Sequence, residues 1–91
     1  MIKLRDLQYL NAIAEHRHFG RAAEACFVSQ PTLSGQLMKL EEQLGLQLVE
    51  RQTRNIMLTP VGEQLVIEAR NVLRAASDFE ESARALLDPL A

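Results

Sequence analysis

The stretch Val28–Leu44, VSQPTLSGQLMKLEEQL, decides the fold. At about 100° per residue it reads as an amphipathic helix. Leu33, Leu37, Leu40 and Leu44 fall at alternating steps of four and three and form one narrow apolar stripe. The opposite face has Pro31, Gly35 and Met38 near its centre and Thr32, Ser34 and Lys39 on its flanks. A solvent face ordinarily carries Glu and Lys; here acidic residues appear only in the third turn, at Glu41 and Glu42. Glycine inside a helix costs about 1 kcal/mol against alanine. Close approach of another surface to the backbone at Gly35 would compensate, and the major groove of a duplex is such a surface. The plainer reading is a short helix with a tolerated glycine.

The preceding residues move the balance. Phe19–Cys26 reads as a short helix capped near Gly20, with Ala22, Ala23 and Cys26 turned inward so that a second helix packs closely. Phe27-Val28-Ser29 is too short for anything but a tight corner. A short helix, a corner and a longer helix with a polar leading face make a helix-turn-helix over about 19–38. Ser29 is the better N-cap chemically. Gln30 precedes a proline and is pushed from helical φ/ψ, with Pro31 suited to the first helical position. The sequence leaves both caps open.

Upstream, a first helix is expected from Leu4 to Glu15, burying Leu7, Leu10 and Ala14 with Tyr9 and Ile13 beside them. Lys3 and Arg5 lie at its start, where cations oppose the helix dipole. A nearby phosphate explains them; so does solvated surface charge. Arg21, near the start of the second helix, has the same two explanations, and in many helix-turn-helix proteins this helix crosses the DNA backbone. His16-Arg17-His18 holds two histidines that do not share a helix face and have no Cys or carboxylate at ligand spacing, so a loop with locally satisfied histidines is expected rather than a metal site.

Downstream, Gly45 suits a left-handed stop for the long helix. The β-prone runs 46–51 and 55–58 flank Gln52-Thr53-Arg54 and read as a hairpin, the wing, over about 48–58. Arg54 stands at its tip, where an arginine could enter a minor groove or simply be solvated. Thr59-Pro60 then opens a last helix. Leu65, Ala69, Val72, Ala76, Phe79, Ala83, Leu86 and Leu90 alternate steps of four and three without a break, a heptad seam. From Pro60 to Leu87 the helix would be ~42 Å long at ~1.5 Å per residue, more than so small a core covers. Pairing with a second copy is expected, because the alanines in the seam permit close approach.

Composition sets the outer bounds. The chain has 91 residues, enough for one small domain, and is 47% hydrophobic but only 4% aromatic. Domains of this size bury only about 60% of their unfolded surface, so an oligomer is expected to add stability. Net charge is −2, which globally argues against nucleic acid. The acidity is uneven, however: seven Lys/Arg against six Asp/Glu in residues 1–59, and three against six in 60–91. Local pattern, not the sum, governs binding. No apolar run approaches the ~20 residues of a membrane span, and no signal peptide is visible. A single cysteine makes no internal disulfide and fits a reducing cytoplasm. No nucleophile with its His and carboxylate, glycine-rich phosphate loop or metal set is present, so neither catalysis nor a cofactor is expected.

The run AEHRHFGRAAEACFVSQPTLSGQLMKLEEQLGLQLVER, with LTPVGEQLV after it, resembles the N-terminal DNA-binding domain of LysR-type transcriptional regulators. SQPTLSGQ and HRHF are most similar to the family's peroxide-sensing members. The resemblance covers essentially the whole chain. It implies a mainly α winged helix-turn-helix, three helices plus a two-stranded β wing, over 1–59, and a long linker helix for dimerisation over 60–91. The family's effector-binding domain is absent, so the chain looks like an excised N-terminal domain. Family wings carry an arginine at the position of Arg54. Many members also have an arginine where this chain has Gly35; its absence removes one guanine or phosphate contact and shifts weight to shape readout.

Together these readings make the chain a sequence-specific binder of duplex DNA. Gln30, Thr32 and Ser34 would meet base edges beside the Ser29 cap, and Pro31 and Gly35 would bring the backbone close and touch thymine methyls. Lys39, Arg21 and Arg5 would meet phosphates, and Arg54 the minor groove. Leu65, Ala69, Val72, Ala76, Phe79, Ala83 and Leu86 would form the homodimer seam, with a higher oligomer in the full-length protein and an interrupted two-fold symmetric operator. By resemblance the parent protein would activate antioxidant genes on oxidation, with its sensing cysteines in the missing domain. The alternative is a winged helix used only as a protein-interaction module. That reading expects large apolar anchors on the leading face of the third helix, where only Met38 fits.

Overall fold

Ile13, Leu33, Leu37 and Leu48 are at most 1% exposed and mark the centre of the core. The computed structural model describes residues 1–50 and 56–87. Along the chain run α1 (Leu4–His16), α2 (Phe19–Ala25), α3 (Gln30–Leu44), β1 (Val49–Glu50), β2 (Met57–Leu58) and α4 (Pro60–Leu87).

α1 buries Leu7, Tyr9, Leu10, Ile13 and Ala14 as expected, and Ala12 and Asp6 besides. A carboxylate tolerates that position because it is satisfied locally: the Lys3 amide donates to Asp6 Oδ2 at 3.1 Å. The helix ends at Arg17, left-handed at φ 51°, whose N–H donates to the Ile13 carbonyl at 2.8 Å. α2 begins at Phe19, the first residue of the stretch read as a short helix. Its cap is His18, not a residue near Gly20: the imidazole Nδ1 accepts from the Arg21 amide at 3.1 Å. Ala22 and Ala23 are buried against α1 and α3, and Cys26 is only partly buried.

The corner after α2 turns through Phe27, which adopts φ 59° and is 95% exposed. Ser29 caps α3, its Oγ accepting from the Thr32 amide at 3.2 Å. Gln30 is therefore the first helical residue and Pro31 the second, which decides between the two caps the sequence left open. Leu33, Leu37 and Leu40 are buried, whereas Leu44 is 40% exposed because the last turn runs past the core. Gly45, at φ 70°, ends the helix.

The wing base is tied to α3 by Glu41, whose Oε2 accepts from the Leu48 amide at 2.8 Å. β1 and β2 pair antiparallel, Val49 opposite Leu58 and Glu50 opposite Met57. These strands are shorter than the β-prone runs around them. Thr59 then caps α4 as expected, Oγ1 accepting from the Gly62 amide at 3.0 Å while its hydroxyl donates to the Gln47 carbonyl at 2.6 Å. Gly62 lies so close to the backbone just before β1 that a Cβ there would collide with the Leu48 carbonyl oxygen.

α4 has two halves. The first packs on α1 through Val66 and Ala69, with Leu65 and Leu73 half-buried beside them and Arg70 Nε donating to Asn11 Oδ1 at 2.8 Å. Past Ala76 every described residue is exposed, and the helix stands clear of a body that measures 54 × 25 × 19 Å with it.

Candidate nucleic-acid interface

Two caps fix the surface that α2 and α3 present. Ser29 Oγ accepts from the Thr32 amide and its own proton goes to Thr32 Oγ1 at 2.8 Å. Thr32 thus has an acceptor lone pair engaged and keeps its hydroxyl proton and methyl for an outside partner. Gln30, Pro31 and Thr32 are exposed at the start of α3, and Ser34 and Gly35 are partly exposed one turn on. Met38, 51% exposed, and Lys39 continue that face. A Cβ at Gly35 would meet nothing within 4 Å. No packing inside the chain requires glycine there, so the helix bears the glycine penalty for no internal gain.

Arg21 is exposed on α2 beside this face, and Lys39 is exposed two turns down α3. Arg5 stands apart from them: it is exposed on α1, on the rim of an open cleft of about 570 Å³ that α1 shares with Cys26, Phe27 and Val28 of the corner. Arg17, a further cation of this half, is held to Glu63 at 3.3 Å and ties the end of α1 to the start of α4. Arg54 lies outside the described residues. Cys26 packs against the core, and burial pushes its thiol pKa above the ordinary value.

The seam residues divide between the body and solvent. Ala69, at 2% exposed, is used within the chain, and Leu65 is half-buried there. Val72 is 43% exposed, Ala76 partly exposed, Phe79 and Leu86 largely exposed, and Ala83 exposed. Leu65 and Val72 border a small apolar groove of about 130 Å³ whose far side is Ile2, Leu40 and Leu44. Sequence reasoning missed His18, Glu41 and Gly62. The His18 cap follows from its place just before a helical run, a position open to any side chain with an acceptor.

A helix-turn-helix, a two-stranded wing and an extended helix define a winged helix-turn-helix domain. The profile of the bacterial regulatory helix-turn-helix proteins of the lysR family matches residues 4–63; the chain belongs to that family. It is 55% identical over 82 residues, 90% of its length, to the DNA-binding transcriptional dual regulator OxyR of Escherichia coli K12. The chain spans about a quarter of that relative, 27%. Its fold superposes on a full-length OxyR variant of Pseudomonas aeruginosa with a TM-score of 0.90 at 47% identity, covering 93% of this chain and 29% of that one. It also superposes on the BenM DNA-binding domain in complex with its benA site 1 DNA, TM-score 0.91 at 33% identity, covering 96% and 98%.

Proposed function

We propose that this chain is the sequence-specific, duplex-DNA-binding part of an OxyR-like regulator and acts as a homodimer. The observation that carries the reading is the leading face of α3: small hydrogen-bonding side chains at its start and a glycine in open space. That face fits a major groove, whose edges need donors, acceptors and close backbone approach. Gln30, Thr32 and Ser34 read bases, with Pro31 and Gly35 against the edges and Ser29 at the cap. Arg21, Lys39 and, at the periphery, Arg5 meet phosphates. Arg54 enters the flanking minor groove. Residues 1–59 bind DNA and 60–91 link and dimerise.

The seam supports an antiparallel pair. About a two-fold axis at Ala75–Ala76, Phe79 of each copy faces Val72 of the other and Leu86 faces Leu65. Phe79 and Leu86, exposed on the distal half, then meet the edge of the apolar groove, and the alanines at the axis let the helices approach. A two-fold interface is self-complementary in this way. The parent protein controls oxidative-stress genes in the cytoplasm; no described helix is long and apolar enough to cross a membrane.

Selection from random duplexes tests the reading. Enrichment of an interrupted, two-fold symmetric site supports it. No enrichment favours the interaction module. Within an enriched site, Gln30→Ala should cost about 1–3 kcal/mol while random DNA is nearly unaffected.

A further inference from the structure

His18 does more than its place between two helices requires. Its Nδ1 accepts the Arg21 amide proton at 3.1 Å, which fixes the ring at the start of α2. With Nδ1 as acceptor, the neutral ring carries its proton on Nε2. The held ring lies over Gly20: a Cβ at that glycine would stand 3.0 Å from His18 Cε1 and 3.3 Å from Nδ1. The same point lies 3.7 Å from Oε1 of Gln30, the first residue of α3. The Cβ position of Gly20 thus lies within contact distance of both the imidazole and the Gln30 amide oxygen. Gln30 is exposed, and a free glutamine gives up much rotamer entropy when it engages a base edge. A bare Gly20 with a fixed ring on its other flank gives the amide a defined seat and limits that freedom in advance.

We propose that His18 is a specificity-determining residue of the DNA site. It acts as a positioning residue for Gln30, holding the amide over Gly20 in the orientation that reads its base pair. This rests on the reading of Gln30 as a base contact. A side chain that only capped α2 would be replaceable by any good cap. Asparagine supplies the cap acceptor but no ring.

The experiment is a double-mutant cycle of the whole chain with His18→Asn and Gln30→Ala, each assayed on the selected duplex, on that duplex changed at the Gln30 base pair, and on random DNA. Thermal unfolding of His18→Asn checks that the cap is retained, and long-range ¹H–¹⁵N spectra of the wild type report whether Nδ1 is unprotonated. His18→Asn should lower the preference for the correct base pair by about three- to tenfold and leave random-DNA affinity unchanged. In the Gln30→Ala background it should change nothing further. Effects that add, an equal loss on random DNA, or no loss at all overturn the proposal. Gly20→Ala, whose Cβ crowds the His18 ring and comes into contact with Gln30 Oε1, is a second route to the same readout and should also shift that preference. If Gln30→Ala by itself spares the preference of a specific wild type, the base-contact reading fails and His18 falls with it. That result is distinguished from failure at His18 alone by the single mutant.

Discussion

Gly35 sits in open space on an exposed helix face, so its effects on stability and on binding should run in opposite directions. Gly35→Ala removes the backbone-entropy cost of glycine and should stabilise the fold by about 1 kcal/mol, read as a higher urea midpoint with unchanged slope. Where backbone and base edges touch, the added methyl intrudes, and affinity for the selected duplex should fall several-fold by fluorescence anisotropy. A variant that gains stability and keeps full affinity would remove Gly35 from the interface. Cys26 makes a quieter prediction. Burial disfavours its thiolate, so alkylation should be slower than that of a free thiol near neutral pH, and mild peroxide should leave DNA affinity unchanged. A folded-state pKa above the unfolded one means its contribution to stability is present below the unfolded thiol's pKa. That contribution fades as pH rises through the raised value. Cys26→Ser should remove this alkaline component, and a peroxide effect on binding that the mutation abolishes would make the domain a sensor itself. Residue-level detail was only partly legible in the sequence. The chemistry favoured Ser29 as a cap over Gln30, and the Thr32 amide bond bears that out. His18 escaped because an imidazole is a rarer cap than a hydroxyl or carboxylate.

The helices and their breaks were the most legible elements, since periodicity, Thr59-Pro60 and Gly45 act locally. The antiparallel pairing of the wing was legible in the sequence. Among the described residues its strands pair at two positions and are tied to a carboxylate from α3, and the Glu41 contact is set by tertiary approach rather than by the strand sequence. Leu44 and Ala69 show the same limit. Both sit on an apolar repeat, yet one is left at the rim of a groove and the other is covered by the chain's own α1. Periodicity identifies a face and not what covers it. Gly62 gives the test at this scale. No rotamer relieves a Cβ that collides with a backbone oxygen, so Gly62→Ala must shift α4 or the backbone at Leu48 and should cost about 1–3 kcal/mol in chemical unfolding. An unchanged midpoint would mean that this junction yields easily.

For the molecule as a whole, the proposed pairing puts assembly on the exposed half of α4. Phe79 is 77% exposed in the single chain. On the antiparallel reading it lies in a desolvated contact, where Phe79→Glu introduces two like charges about the axis. Sedimentation should show a dimeric wild type and a monomeric variant, and affinity for the two-fold site should drop at least about a hundredfold as the half-sites uncouple. A wild type that is monomeric at high micromolar concentration would refute the pairing.

The close fit at Gly62 bears on how such a dimer transmits movement. The Leu48 backbone, just before β1, meets the first turn of α4 with no side chain between them, Thr59 bonds to both Gln47 and Gly62, and Arg17 reaches Glu63 from the end of α1. The joint between the wing base and the long helix is therefore closely packed and hydrogen-bonded. A tilt of α4 would carry the wing base and the end of α1 with it. In the proposed dimer a second copy would turn in the opposite sense about the axis, and a small rotation there would change the span between the two surfaces proposed to face DNA.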